Sequence, residues 1–461
     1  MFKDYILNND VSLQWSKIMK NRSIFLLVAI FLLIFQNGYG QDDDYNHKKP
    51  EEVFFLGHQF GIGSKAMSMG GAFLAVADDY TATYWNPAGI AQIRRTELSA
   101  SMSHFKMINT TSYENDQFDD ETNATKFNSV GLVIPYPTYR GSLVFAVGYN
   151  RVRSFDGGYT FEHNFYADTD TACKRTYDEI ESGSLTNWVF SGAMDITEHL
   201  TLGLSVNFWR GNDDYQMSSL YDSEENIYRF DHVYDRVINS DYSAWNCKIG
   251  MLYKLGVLGR IAATISTPIK FSVTEDWEQN WHWFDNYDPE YSDFHEYDDS
   301  TGTFDYTIQS PIVFGVGAAF TLFPNLVVAG DIEYSDWSQL RYKSESPIED
   351  TNEPDPNINI KKNYRATTQY RIGAEFTVPL LNLQLRAGFF NQPSPLEDAD
   401  FEAGTKYFTA GAGMLLDKQV KLDFTWLKGW WEDERHISPE DLVTTEDIEI
   451  NKFLVTLAYR F

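Results

Sequence analysis

Beyond residue 95 the chain alternates between two textures, with a regularity that few architectures permit. In one texture apolar side chains take every second position, the period of a β-strand with one greasy face. Leu200, Leu202, Leu204, Val206 and Phe208 oppose Thr201, Gly203, Ser205 and Asn207, and Tyr370, Ile372, Ala374, Phe376 and Val378 oppose Arg371, Gly373, Glu375 and Thr377. Such segments fall at 96–106, 127–135, 142–154, 184–196, 200–211, 241–254, 258–273, 304–321, 326–337, 363–379, 383–391, 405–416, 419–429 and 447–461. The connections between them are short at 136–141, 197–199, 255–257, 322–325, 380–382 and 417–418. They are long at 107–126, 155–183, 212–240, 274–303, 338–362, 392–404 and 430–446. Long and short alternate through all thirteen connections. Tight turns therefore gather at one end and long connections at the other, as in bacterial outer-membrane barrels with short periplasmic turns and long external loops. The pattern predicts an all-β fold, a 14-stranded antiparallel transmembrane β-barrel. Charges on the polar faces, such as Arg371 and Glu375, are then expected to pair inside the lumen.

The N-terminal residues fit an exported protein. Lys17, Lys20 and Arg22 precede the apolar run Ile24 to Phe35, and Gly38 and Gly40 stand just before Gln41. A basic region, a short apolar core and a small-residue exit are the parts of a cleaved secretory signal, here residues 1–40, with Met1 or Met19 as the start. The apolar core is about a dozen residues, short of the roughly 20 a spanning helix needs. With a mean hydropathy of −0.38 and no later apolar stretch of that length, a helical membrane protein is excluded. A soluble exported protein is not excluded by hydropathy alone. The terminal strand NKFLVTLAYRF puts Phe453, Val455, Leu457, Tyr459 and Phe461 on one face. A strand that stops on an aromatic in this way resembles the signal read by the outer-membrane barrel assembly machinery, and predicts a cell outer membrane location.

The net charge of −29 argues against nucleic acid, whose phosphates would repel the chain. Cys173 and Cys247 fit no metal spacing, and no HExxH, CxxC pair, GxSxG or phosphate loop occurs. His104 lies near Ser101 and Ser103 but lacks an evident third member. No enzyme, cofactor or metal site is expected. The acid gathers in the long connections, above all 274–303, where it is interleaved with Trp277, Trp281, Trp283 and Phe284. Two readings stay open there. One is an aromatic capture site for a hydrophobic small-molecule ligand beneath an acidic rim. The other is a solvated mat that bridges outer-membrane lipid and lipopolysaccharide through divalent cations.

Between signal and strands lies GIGSKAMSMGGAFLAVADDYTATYWNPAGIA, residues 61–91. Its glycines permit tight turns and close backbone approach. Ala66, Met67, Met69, Phe73, Leu74 and Val76 suit a short amphipathic helix. Asn86-Pro87 suits a helix start, with Asn as cap and Pro in the first position, while Asp78 and Asp79 can pair with lumenal Lys or Arg. The residues leave open a plug within the barrel or a lobe beside it. This segment resembles the N-terminus of the FadL/TodX family of outer-membrane transporters for hydrophobic compounds. It carries that family's Asn-Pro-Ala motif at Asn86, Pro87 and Ala88, extended by Gly89. The resemblance implies a small N-terminal helical hatch inside the lumen, placed at 41–95, with the barrel at 96–461. It also implies passive uptake of long-chain fatty acids or aromatic hydrocarbons by loop capture, hatch rearrangement and lateral release. A kink in the third strand belongs to that scheme, and Gly148 is the candidate for it. The same motif is similar to that of PorV-type barrels, which serve protein secretion.

Overall fold

The computed structural model describes residues 61–461 apart from 115, 169–170, 224–229, 286–294, 345–354, 398, 400–403 and 438–441. The stretch read as a signal lies outside the described residues. Eighteen strands form one antiparallel sheet, which closes where β1 (Glu97–Tyr113) pairs with β18 (Leu442–Arg460). Between them run β2 (Asp116–Tyr136), β3 (Leu143–Ser154), β4 (Gly157–Asp168), β5 (Thr171–Asp195), β6 (Leu200–Ser223), β7 (Phe230–Lys254), β8 (Gly259–Ser266), β9 (Lys270–Asp285), β10 (His295–Gln309), β11 (Val313–Phe323), β12 (Leu326–Asp336), β13 (Arg341–Tyr342), β14 (Ala366–Val378), β15 (Leu383–Gln392), β16 (Thr405–Leu416) and β17 (Val420–Ile437). Four pairs, β3–β4, β8–β9, β10–β11 and β12–β13, are single staves interrupted once, so the wall is a closed barrel of 14 staves.

Two of the interruptions have a plain cause. Pro268 and Pro311 cannot donate to a ladder. The neighbouring backbone repairs the gap, with Thr267 N donating to Cys247 O at 2.9 Å, Ser310 N to Ile269 O at 2.8 Å and Ile269 N to Ser310 Oγ at 2.9 Å. Each expected segment lies on a stave, but several staves run much further. Most of 107–126, 155–183, 212–240, 274–303 and 430–446 is strand rather than loop, and β5 and β7 reach 25 residues each. Outside the bilayer neither face need be apolar, so the period-two signal disappears while the ladder continues. Cross-strand hydroxyl–carboxylate pairs support it there: Thr110 Oγ1 donates to Asp119 at 2.7 Å, and Thr160 Oγ1 to Asp178 at 2.6 Å.

Leu202, Leu204, Ile249, Met251, Leu422, Phe424, Val455 and Leu457 stand exposed on the outer wall. Exposed apolar side chains in such a continuous band mark a lipid-facing surface. Tyr149, Trp188, Phe208 and Trp245 follow one another as cross-strand partners along its upper edge. Above that row the wall is wet, as the exposed pairs Lys106–Glu121 and Lys428–Glu449 show. No helix of the described residues is long and apolar enough to cross a membrane; the strands cross it. Phe424→Arg, in the middle of the band, should cost about 2–4 kcal/mol of folding free energy, read as a lower denaturant midpoint in lipid vesicles.

Candidate functional site: a sealed lumen

Residues 61–95 lie inside the ring as a hatch, not beside it as a lobe. They form α1 (Ser64–Ser68), α2 (Ala82–Trp85) and a 3-10 turn, Pro87–Gln92. The expected longer helix stops after five residues, because Gly70 and Gly71 adopt positive φ, 61° and 66°. The segment is also not amphipathic in its surroundings, since the wall buries it on nearly every side. Polar bonds tie it to staves around the ring. Ser64 Oγ bonds Thr425 Oγ1 of β17 at 2.7 Å, and Gly70 N donates to Thr409 Oγ1 of β16 at 3.0 Å. Phe73 N and Leu74 N both donate to Asp331 Oδ2 of β12, at 2.6 and 2.8 Å. Tyr80 OH donates to Asn150 Oδ1 of β3 at 3.0 Å, and Lys248 Nζ of β7 to Tyr84 O at 2.7 Å.

Wall glycines make the room. A Cβ on Gly203 would stand 2.3 Å from Ala88 N and Pro87 C, and one on its cross-strand partner Gly250 would stand 2.0 Å from Asn86 Oδ1. The partners Gly131 and Gly148 make way for the Tyr80 ring, and Gly373 and Gly388 for Met69 and Gly70. Asn86 is held on both sides. Its Nδ2 donates to Leu74 O at 2.8 Å and to Met251 O of the wall at 3.2 Å, while its Oδ1 accepts from Ala88 N at 3.1 Å. That last bond is the expected cap, with Pro87 opening the turn.

The tightest buried ion pairs gather on one side of the lumen. Arg386 pairs with Glu375 and Asp423 at 2.7 Å each, and Lys65 of the hatch sits 3.6 Å from Glu375. Arg371 pairs with Glu333 at 3.2 Å. Arg371 and Glu375 thus face the lumen as expected but bond other partners than each other. Asp78 pairs with Lys65 at 2.8 Å, and Asp79 with Lys421 at 3.6 Å. Burial works to raise the Asp78 carboxyl, yet the Lys65 and Lys421 ammoniums together hold it well below the usual range. The opposite side carries Lys248 and a run of neutral amides. There Asn150, Asn187, Asn207 and Asn246 hand hydrogen bonds from stave to stave, each at 3.1 Å.

Above this seam a packed cluster of apolar side chains, here called the chamber, fills the lumen. Val152, Phe155, Leu185, Trp209, Tyr242 and Phe271 form one buried cluster with Tyr306, Tyr342 and Tyr364, and Tyr84 of the hatch lies against its floor. The helix α3 (Pro356–Asn363), capped by Asp355, contributes Ile360. Glu181 and Asp213 border the chamber beside Arg153.

The structure brings Asn86, Pro87, Ala88 and Gly89 together at the hatch–wall contact. Gly89 is required by the packing within the hatch, since a Cβ would stand 2.2 Å from Ala77 O. Gly148 adjoins the hatch through Tyr80, but it sits in regular pairing. The third stave is irregular later, between Arg151 and Arg153. Trp277 packs over Gly302 and Trp281 against Tyr234, outside the chamber cluster. Trp283 and Phe284 are on β9, with their side chains outside the described residues. All four belong to the β9–β10 hairpin rather than to a loop. The chamber residues escaped notice because each is one aromatic on the otherwise polar face of a strand, as Trp209 is next to Phe208. His104 bonds Thr125 on the outer face, whereas Ser101 and Ser103 point inward to Ser129 and Asn128, so no triad assembles.

A closed outer-membrane barrel plugged by its own N-terminal segment defines a transport channel. The sequence agrees: residues 55–451 match the family described as outer membrane protein transport protein (OMPP1/FadL/TodX), and the chain belongs to that family. Among solved structures it is similar to the toluene transporter TodX of P. putida, at 14% identity and a TM-score of 0.61 over 87% of this chain and 99% of that one. It is also similar to a FadL homologue of Pseudomonas aeruginosa, at 11% identity and 0.59 over 88% and 100%. The Ralstonia pickettii toluene transporter TbuX aligns at 16% identity and 0.54 over 87% and 99%. Curated protein sequences yield no match. Gly203→Leu should unseat the 3-10 turn and leave the barrel assembled. The expected reading is ion conductance in planar bilayers well above that of the parent chain.

Proposed function

We propose that the protein takes up hydrophobic small molecules passively across the outer membrane. The observation that carries this reading is an apolar, aromatic cluster packed across the lumen above a hatch that is fixed by side-chain bonds and small-residue contacts. A ligand that leaves water for the chamber gains about 0.8 kcal/mol per buried CH₂, so capture needs no energy source. Solved relatives include toluene transporters and a monoaromatic hydrocarbon channel. Aromatic hydrocarbons and long-chain fatty acids are the substrate classes we assign.

Residues 1–40 act as the export signal, 41–95 as the hatch and 96–461 as the barrel, whose final strand, ending in Phe461, presents the assembly signal. Trp277, Trp281, Trp283 and Phe284 gather ligand at the rim. The ligand passes when the turn at Asn86–Gly89 shifts away from Gly203 and Gly250. It leaves sideways at the third stave, as the family resemblance implies. Support for that exit comes from the pairing: β2 meets β3 only from Ser129 to Tyr136, and above this the seam is bridged by Lys126–Asp156 at 2.6 Å.

Replacing Asn86 and Pro87 together by Ala should cut uptake of labelled toluene or oleate at least several-fold, with barrel assembly unchanged. Trp209→Ala should weaken binding of the same compounds to the purified protein. Parental uptake by the Asn86/Pro87 variant would refute the gating role.

A further inference from the structure

The outer wall carries two recesses, one above the other, on the same staves. The upper is a polar cleft of about 560 Å³, lined among others by Tyr149, Thr186, Arg210, Asn212, Asp241 and Ser243. The lower is an apolar groove of about 860 Å³ around Gly192, walled by Phe145, Phe190, Met194 and Leu204. The groove exists because position 192 has no side chain: a Cβ there would touch only the Phe145 ring, at 3.5 Å. Between the recesses runs the aromatic row Tyr149, Trp188, Phe208 and Trp245, which marks the level where headgroups meet acyl chains. Immediately above it, Thr186, Arg210, Ser243 and Ser272 are successive cross-strand partners. The cleft is therefore at headgroup depth and the groove at acyl depth.

The spacing suits one amphiphile. Thr186 and Gly192 are separated on β5 by about 20 Å of strand at ~3.3 Å per residue. A tilt of ~45° turns this into about 14 Å of depth, close to half of a ~30 Å hydrocarbon core. The chemistry of the cleft narrows the headgroup. Arg210 is exposed, with one Nη donating to Trp209 O at 3.2 Å, and its planar fork suits a phosphate. Around it stand hydroxyls, the Asn212 amide and the Asp241 carboxylate, a mixture of donors and acceptors that matches sugar hydroxyls better than a small zwitterionic headgroup.

We propose that this strip binds an outer-leaflet lipid with a phosphorylated sugar headgroup, of the lipid A type. Arg210 holds a phosphate, the hydroxyls and Asp241 hold the sugar, and one acyl chain crosses the aromatic row into the groove at Gly192. The site lies outside the lumen, on the outer face of the wall. It rests on the orientation in which the long strands face the cell exterior.

The test is native mass spectrometry of the full chain in vesicles containing lipid A and phosphatidylethanolamine, with millimolar inorganic phosphate as a third arm. The parent protein should retain lipid A at about one per barrel, undisplaced by either competitor. Arg210→Gln and Gly192→Leu should each lower retention at least five-fold, while Ile372→Ala on the opposite outer face should not. Gly192→Ala serves if the Leu variant fails to assemble. Equal retention in Arg210→Gln and Ile372→Ala, or displacement by phosphatidylethanolamine or phosphate, would overturn the site. Asp119→Cys should be labelled by an impermeable maleimide on intact cells above the parental background. Absence of that labelling would overturn the proposal through its orientation, and uptake through the lumen would be unaffected by either result.

Discussion

The contact on which the rest depends is backbone against backbone, where the hatch meets the wall at Gly203, Gly250, Gly373 and Gly388. A closed ring of fixed strand number has a fixed bore, so a folded segment fits inside only where the wall gives up its inward side chains. Cross-strand glycine pairs do this on two faces of the ring. A side chain at any of these four positions would overlap main-chain or Asn86 atoms of the hatch rather than a flexible side-chain end. The hatch in turn gives up its own bulk at Gly70, where a Cβ would stand 2.6 Å from Phe389 N of the wall. Small residues on both partners are thus one device, not two.

That device also explains what the sequence disclosed and what it hid. The bilayer imposes an apolar outer face, so Leu200–Phe208 and Tyr370–Val378 announce themselves as the membrane-embedded parts of staves. Water imposes no such pattern, so the upper halves of β5, β6, β7, β9 and β10 read as acidic loops. The motif Asn86-Pro87-Ala88-Gly89 was legible because its cap, its first-position proline and its required glycine are local. The chamber was not, because Phe155, Trp209, Phe271 and Tyr364 meet only when staves far apart in sequence close into a ring. Gly148, expected as a kink, accommodates the Tyr80 ring in regular pairing, and the irregularity of the stave comes a few residues later.

The lumen's two sides hold the hatch by different means. On the β12–β17 side, buried ion pairs fix it: breaking one exposes an uncompensated charge, at about 3–5 kcal/mol. On the β3–β7 side the ties are neutral hydrogen bonds from Asn, Ser and Tyr, each worth about 0.5–1.5 kcal/mol. Lys248, bound to Tyr84 O, and Arg94, 3.8 Å from Asp195 of β5, are the charged ties there. A rearrangement of the hatch therefore costs least when it swings away from Asn150, Gly203 and Ser205 while staying anchored through Lys65, Asp79 and Asp331.

This asymmetry faces the right way for the proposed route. The weakly held side is the side on which β2 and β3 part company, and the asparagine ladder there offers polar groups already satisfied by one another. An apolar ligand moving past them leaves the buried Arg386–Asp423 pair intact and meets one ion pair, Lys126–Asp156, at the seam, whereas passage along Arg386 and Asp423 would break a pair buried on both sides. Filling the lumen with a tethered segment, whose tightest buried ion pairs gather on one flank, thus sets the direction of movement and needs no separate hinge. The chamber above supplies the apolar medium, the glycine contacts supply the seal, and the unequal strength of the two flanks determines where the seal yields.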